Sequence, residues 1–314
     1  MLNGKPYLSA AVEAASVPYA VYVNGAFVAM DRSGGPANET WPINHYLRDG
    51  RNELAIVVNS WLDEQGSSLG FAKDASVQVT LRVRAGSETD GPTYDIARLK
   101  FAAAGLRDEA ALQGSSAAGR LDSAHGFEPA STGDVAVYTP RIEQLSPEGD
   151  RLVRMEFDVP LAFSDPAFLS SDVSKTTYQM SEDEALSAYA ELLSAYEVVW
   201  KALAKHDYDK IMPMFEERSR ETDRALYLPA GTTQRSLRNF FEKELADSEQ
   251  QLAPLRPNSG YWTLDVSPNG RLMRLSWGDH GSAIIRLVNK EYSGLITEIP
   301  IVFRKDKGRL IVAR

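Results

Sequence analysis

Apolar and polar residues alternate with two different periods along this chain, and the change of period falls near its middle. In the first half the period is two. Val77, Val79, Leu81 and Val83 alternate with polar residues in "SVQVTLRVR", the mark of a strand with one buried and one wet face. The same pattern predicts strands in "ELAIVVN" from Glu53, "TYDIARLKFA" from Thr93, "VAVYT" from Val135 and "LVRMEFDV" from Leu152. In "AVYVNGAFVAM" the apolar run breaks at Asn24-Gly25, two residues that accept positive φ and so predict a hairpin. Such spacing favours a β-sandwich.

The period then lapses and changes. Between Ala102 and Gly133 the text is small and polar, with a short helix expected only around Asp108 to Leu112, and it reads as a long excursion from the sandwich. "PLAFSDPAFLSSDVSKTTYQM", Pro160 to Met180, has no sustained period and is the expected interdomain connection, with the boundary near residue 175. Ser181 and Glu184 then form a capping box, and Leu186, Tyr189, Leu193, Tyr196, Trp200 and Leu203 follow at spacings of three and four, one bulky apolar face of a long helix. Asp207 can cap a second helix carrying Ile211, Met212 and Phe215, which Pro213 should kink or split. A third, capped by Thr232 or Thr233, presents Leu237, Phe240, Phe241 and Leu245. After "APLRPNSG" period two returns. "YWTLDV" and "LMRLSW" join at Ser267-Pro268-Asn269-Gly270, "AIIRLV" follows "GDHG", and "EIPIVFRK" pairs with "RLIVAR" across Asp306-Lys307-Gly308. The predicted class is α+β: residues 1–175 an antiparallel sandwich, residues 176–314 helices followed by a strand meander.

Composition narrows what these domains can do. A length of 314 residues suits two domains, and 43% hydrophobic with 25% charged residues is ordinary for a globular protein. No uninterrupted apolar stretch approaches the ~18 residues of a membrane span, so no membrane partner is expected. A net charge of -9 opposes phosphate backbones, which removes nucleic acid as an expected ligand. The absence of cysteine excludes disulfides, thiolate metal sites and cysteine nucleophiles. The start "MLNGKPYLSA" has neither a basic nor an apolar leader segment and reads as cytoplasmic, or periplasmic if a leader has been removed. Neither G-x-G-x-x-G nor G-x-x-x-x-G-K-[ST] occurs, so no nucleotide cofactor is expected.

Two resemblances arise, one from element order and one from a residue pattern. Helices such as "AYAELLSAYEVVWKALAKHDYDKIMPMF" followed by a meander ending in "IPIVFRKDKGRLIVAR" make residues 181–314 similar to the NTF2-like (SnoaL-like, cystatin-related) fold. That resemblance implies a sheet curled around the long helix, a conical pocket, and either Asp/His isomerase or dehydratase chemistry or a non-catalytic binding or dimerisation role. It would also place a homodimer contact on the C-terminal sheet. The first half, "YAVYVNGAFVAM" followed by "PINHYLRDGRNELAIVV", resembles sandwich domains found as glycosidase accessories and in uncharacterised bacterial proteins, some of them encoded beside polymorphic toxins. Within it Gly50 would supply a turn and Asn52 a local side-chain bond.

Each chemical candidate has a plain alternative. Gly66-Ser67-Ser68-Leu69-Gly70 fits a nucleophile elbow in letters, but its flanks are a polar strand end and another strand, so a loop is expected. His45, His125, His206 and His280 have no H-x-x-x-H spacing and therefore no locally written zinc site; His206 is expected to complement the first helix dipole. Asp279 and His280, or Asp265 beside Trp262, are the catalytic candidates if they face a pocket, although glycines on both sides of Asp279-His280 argue for an exposed turn. Trp41 and Trp61 could be carbohydrate platforms, but isolated tryptophans are usually core anchors. Residues 181–250 hold 15 acidic and 9 basic residues; Glu216, Glu217, Glu221 and Asp223 are the partner-binding candidates, an acidic face that would steer a basic protein. The leading expectation is a non-catalytic protein-binding module, an immunity protein that occludes a basic toxin, without metal or cofactor. The alternatives are a small-molecule enzyme and a carbohydrate-binding protein.

Overall fold

The computed structural model describes residues 5–62, 69–85, 92–103, 113–116, 120–121, 133–147, 149–162, 165–255, 262–278, 281–292 and 296–314. The chain folds into two compact units, Met1–Pro166 and Ala167–Arg314. Helices and antiparallel sheets both contribute, so the class is α+β.

In the first unit every strand pairing among the described residues is antiparallel. One sheet runs Gln113–Ser116, Thr93–Ala102, Ser76–Ala85, Pro6–Ala15, Ala37–Pro42, and the other Ala136–Val137, Arg151–Val159, Gly50–Val58, Tyr19–Val23, Ala26–Asp31. Alternation decides which side chains turn inward. Leu8, Val12, Val77, Val79, Leu81 and Phe101 from the first sheet join Val21, Ile56, Val58, Val153 and Phe157 from the second in one buried cluster. Each such side chain contributes about 1.5–3 kcal/mol on burial, and a one-residue register slip would turn the whole set to solvent. These two sheets and their shared interior fit the expected sandwich.

The Asn24-Gly25 turn has φ of 53° and 83°, the left-handed pair that a two-residue hairpin needs. Asn24 does more than turn the chain. Its Nδ2 donates to Tyr46 O and Asn52 Oδ1, while its Oδ1 accepts from Glu53 N. Asn52 donates in turn to Arg48 O and Gly50 O, and Gly50 sits at φ 75°. The central strand Pro6–Ala15 has no counterpart among the sequence expectations: "PYLSAAVEAA" is rich in alanine, a helix former, and only its long ladders with Ser76–Ala85 and Ala37–Pro42 make it a strand. The expected strand at Val135 is instead two short pieces flanking that buried residue, Gly133–Asp134 and Ala136–Val137. Most of the 102–133 excursion, with its expected helix, lies outside the described residues.

The second unit begins earlier than residue 175. Ala167–Ser170 forms a 3-10 turn with Phe168 buried, Asp172 N donates to Lys305 O, Ser174 N donates to Gly270 O, and Arg271 Nη1 donates to Ser171 O. The stretch read as a linker is therefore tied by its backbone to this unit, a bonding its composition does not reveal.

Helix α1, Glu182–Ala204, starts at the expected capping box and ends in a Schellman pair, Asp207 N to Ala202 O and His206 N to Leu203 O, with His206 at φ 54°. Its buried stripe is Leu192, Tyr196, Val199 and Leu203, with Tyr189, Leu193 and Trp200 along the flank. Leu186 is exposed, because the stripe expected from spacing starts one turn too early. Helix α2, Tyr208–Met214, is capped by Asp207, and beyond Pro213 the chain breaks at Phe215 into α3, Glu216–Ala225. Helix α4, Thr232–Ala246, follows.

The strands after α4 do not make one continuous meander. Trp262–Val266 and Leu272–Trp277 form the expected hairpin, and Phe303–Asp306 pairs with Arg309–Val312 across Lys307-Gly308. Leu272–Trp277 then pairs with Phe303–Asp306, while Arg286–Asn289 lies in another sheet between Gln250–Leu252 and Ile296–Glu298. Ile284 and Ile285, read as strand, are buried core residues between two short strands.

Candidate functional site

Helix α3 reads "EERSRETDRA", without an apolar stripe, yet Ser219, Glu221, Asp223 and Ala225 in it are buried. A polar helix can be buried only if its charges find partners. On one side they do. Glu217 accepts two bonds from Arg304, at 2.8 and 2.7 Å, and these bonds push the Arg304 pKa up. Glu221 accepts from Arg314 Nη1 and from Ala167 N, and the Arg314 guanidinium also lies over the Phe168 ring, 4.8 Å from its centroid.

The other side of α3 carries Glu216, Ser219, Arg220 and Asp223 at spacings of three, one and three, a single helical face. This face forms one wall of a groove of about 640 Å³. Met212 and Pro213 of α2, Leu228, Ala230 and Gly231 of the connecting loop, and Gln234 of α4 supply the rest. The loop is held in shape by left-handed residues at both ends, Tyr227 at φ 57° and Gly231 at φ 78°.

Three polar atoms of the wall are buried and have no hydrogen-bond partner among the described residues: Ser219 Oγ, Asp223 Oδ2 and Gln234 Oε1. For Asp223 and Gln234 the orientation is fixed by what their other atoms do. Asp223 Oδ1 accepts from Thr233 N at 2.7 Å and from Thr233 Oγ1 at 2.6 Å, which caps α4 from a neighbouring helix. The α4 N-cap residue is Gly231, without a side-chain cap of its own; Thr232, one of the two expected caps, donates its hydroxyl to Pro229 O instead. Gln234 Nε2 donates to Met212 O at 2.7 Å, leaving the acceptor end of the amide without a partner among the described residues. Ser219 is 2% and Asp223 3% exposed, while Glu216, Arg220, Arg224, Pro213 and Ala230 at the mouth are exposed.

The sequence-derived candidates are thus distributed unevenly. Of the four acidic residues expected on one partner-binding face, Glu217 and Glu221 are committed to internal ion pairs, and Glu216 and Asp223 line the groove. Asp265, a catalytic candidate, is 8% exposed and pairs across its hairpin with Arg274 at 3.1 Å, which neutralises it in place. Asp279 and His280 lie outside the described residues, as do Gly66 to Ser68 of the elbow-like motif and the side chain of Trp61. Trp41 is 43% exposed on the edge strand Ala37–Pro42, with Nε1 donating to Glu39, so it is not a core anchor. His206 is an exposed helix-terminal residue whose ring sits 6.3 Å from that of Tyr208. Ser219, Arg220 and Gln234 were not among the candidates; the signal available for them was the absence of any apolar stripe in α3.

No family model, curated protein or solved structure matches the chain.

Proposed function

We propose that this chain is a protein-binding module whose contact site is the groove between α2, α3 and α4. The observation that carries the reading is the set of unpartnered buried acceptors, Ser219 Oγ, Asp223 Oδ2 and Gln234 Oε1, on three residues that line one groove. A buried polar atom without a partner costs about 1–3 kcal/mol, so a wall carrying three of them is stabilised by a ligand that brings donors. The exposed mouth, with Pro213 and Ala230 beside Glu216, Arg220 and Arg224, has the mixed apolar and charged rim of a surface that receives a macromolecule. The NTF2-like resemblance of residues 181–314 supports the same reading, since many such domains bind without catalysis. The toxin-neutralising version draws on the resemblance of the N-terminal half and makes the partner a toxin whose surface is covered.

A second reading, a small-molecule site, is favoured by the groove volume of about 640 Å³, which is in the usual range for such ligands.

The test is a photoreactive residue installed at Arg220 or Ala230 of the full chain in its native cells, with Arg141 on the other unit as the control position. A single protein cross-linked from the two groove positions and not from Arg141 is the expected result. No adduct from the groove, or the same adducts from all three positions, contradicts the reading.

A further inference from the structure

Resting on the protein-binding reading, we infer that the groove takes the side chain of one lysine from its partner, in a segment otherwise neutral or acidic. The argument begins with the sign of the unfilled atoms. Asp223 Oδ2 and Gln234 Oε1 are acceptors only, and the Ser219 hydroxyl can accept. An ammonium carries three N–H donors and no acceptor, so its donors match three acceptors in number and kind. A carboxylate oxygen on a residue 3% exposed favours a charged donor over a neutral one, because charge-assisted bonds are about twice as strong.

The apolar wall adds the second requirement. Met212, Pro213, Leu228 and Ala230 line the approach and suit a four-carbon stem, whose methylenes pack on apolar surface while the head reaches polar ground. Guanidinium is a poorer match, because its five donors lie in a rigid planar fork and two of them would have no acceptor here.

Depth separates the buried acceptors from a mouth of net positive charge, where Arg220 and Arg224 stand against Glu216. The acceptors are buried, whereas Arg220 and Arg224 are exposed at the mouth. A segment with several basic residues would place its other cations against these arginines, and like charges brought together across an interface discriminate against such partners. One lysine with acidic or neutral neighbours avoids the conflict.

The experiment uses the uniformly ¹⁵N-labelled full chain and four capped tripeptides: acetyl-Asp-Lys-Glu-amide, its Nε-acetylated form, its arginine counterpart and acetyl-Arg-Lys-Arg-amide. The readout is the shift of the Gln234 side-chain amide and of the Ser219 and Asp223 backbone amides. Saturable shifts are expected with acetyl-Asp-Lys-Glu-amide, with affinity about tenfold above each of the other three, as one charge-assisted bond would give. Asp223→Asn should lower that affinity about tenfold. Ser219→Ala provides the control for folding: its hydroxyl has no internal partner among the described residues, so the free protein keeps or gains stability while lysine affinity falls. Equal shifts with the acetylated peptide, stronger binding of arginine, or unaltered affinity in both variants would overturn the assignment. A groove cross-link that the lysine peptide fails to compete overturns the lysine assignment and leaves protein binding standing. Lysine-specific shifts without any cross-linked protein overturn protein binding and point to a free amine.

Discussion

The carboxylate of Glu221 and the guanidinium of Arg314, 93 residues apart in sequence and each 6% exposed at the side chain, form a buried ion pair that joins α3 to the end of the C-terminal hairpin. With the Arg304–Glu217 pair, it explains how a helix without an apolar stripe is held. Removing one member strands a buried charge, which typically costs about 3–5 kcal/mol, whereas replacing both by apolar residues is often close to neutral. Glu221→Gln is therefore expected to lower stability by about 3–5 kcal/mol in urea unfolding, and Glu221→Leu/Arg314→Met by clearly less. Equal losses in the two variants would mean that the pair does not govern the docking of α3.

Gly270 and Gly308 separate two consequences of left-handed backbone. Both have positive φ, 70° and 77°, but a Cβ at Gly270 would lie 2.0 Å from Ser174 O, whereas at Gly308 it meets nothing within 4 Å. Gly308→Ala should cost about 1–2 kcal/mol, the left-handed penalty alone. Gly270→Ala should cost more, because the strap of residues 167–174, bonded to Gly270 O through Ser174 N, has to move off its turn. Thermal unfolding of the two variants checks the order, and equal shifts would show that the strap contributes nothing.

Tyr196, fully buried in α1, donates its hydroxyl to Ile301 O at 2.6 Å, and burial pushes its phenol pKa up. Tyr196→Phe leaves that carbonyl without its donor and is expected to cost about 1–3 kcal/mol, with the denaturant m-value unchanged. A loss below about 0.5 kcal/mol would show the bond to be dispensable.

The α1 capping box should respond to acid. Bonds from Lys175 and from the Ser181 backbone hold the Glu184 carboxyl below its ordinary pKa of 4.5. A depressed folded-state pKa contributes stability above the unfolded value that is lost as pH falls through the folded one. A ¹³C titration of Glu184 should therefore give a midpoint below 4.5, and Lys175→Ala should raise it. A midpoint at or above 4.5 contradicts the capping role.

What the sequence revealed follows from the range of each interaction. Asn24-Gly25, the Ser181–Glu184 box, Asp207 and the break after Pro213 are set by neighbours within four residues, and all form where the letters place them. Pro6–Ala15 escaped because alanine favours helix until distant strands claim it. The 167–174 strap escaped because its bonds run to Gly270, Arg271 and Lys305. At the site, the acidic count drew attention to α3 but could not separate Glu217 and Glu221, bound to remote arginines, from Asp223, which caps one helix and faces a groove. Every second residue of a strand announces its face, whereas a charged helix announces only that something must neutralise it.

Hydrogen–deuterium exchange of the full chain, alone and bound to the protein cross-linked from its groove, tests the central claim most directly. The account predicts added protection centred on residues 212–234, lost on substituting Asp223 by asparagine. Protection confined instead to the edge strand Ala37–Pro42 or to the C-terminal sheet, with 212–234 unchanged, would contradict it.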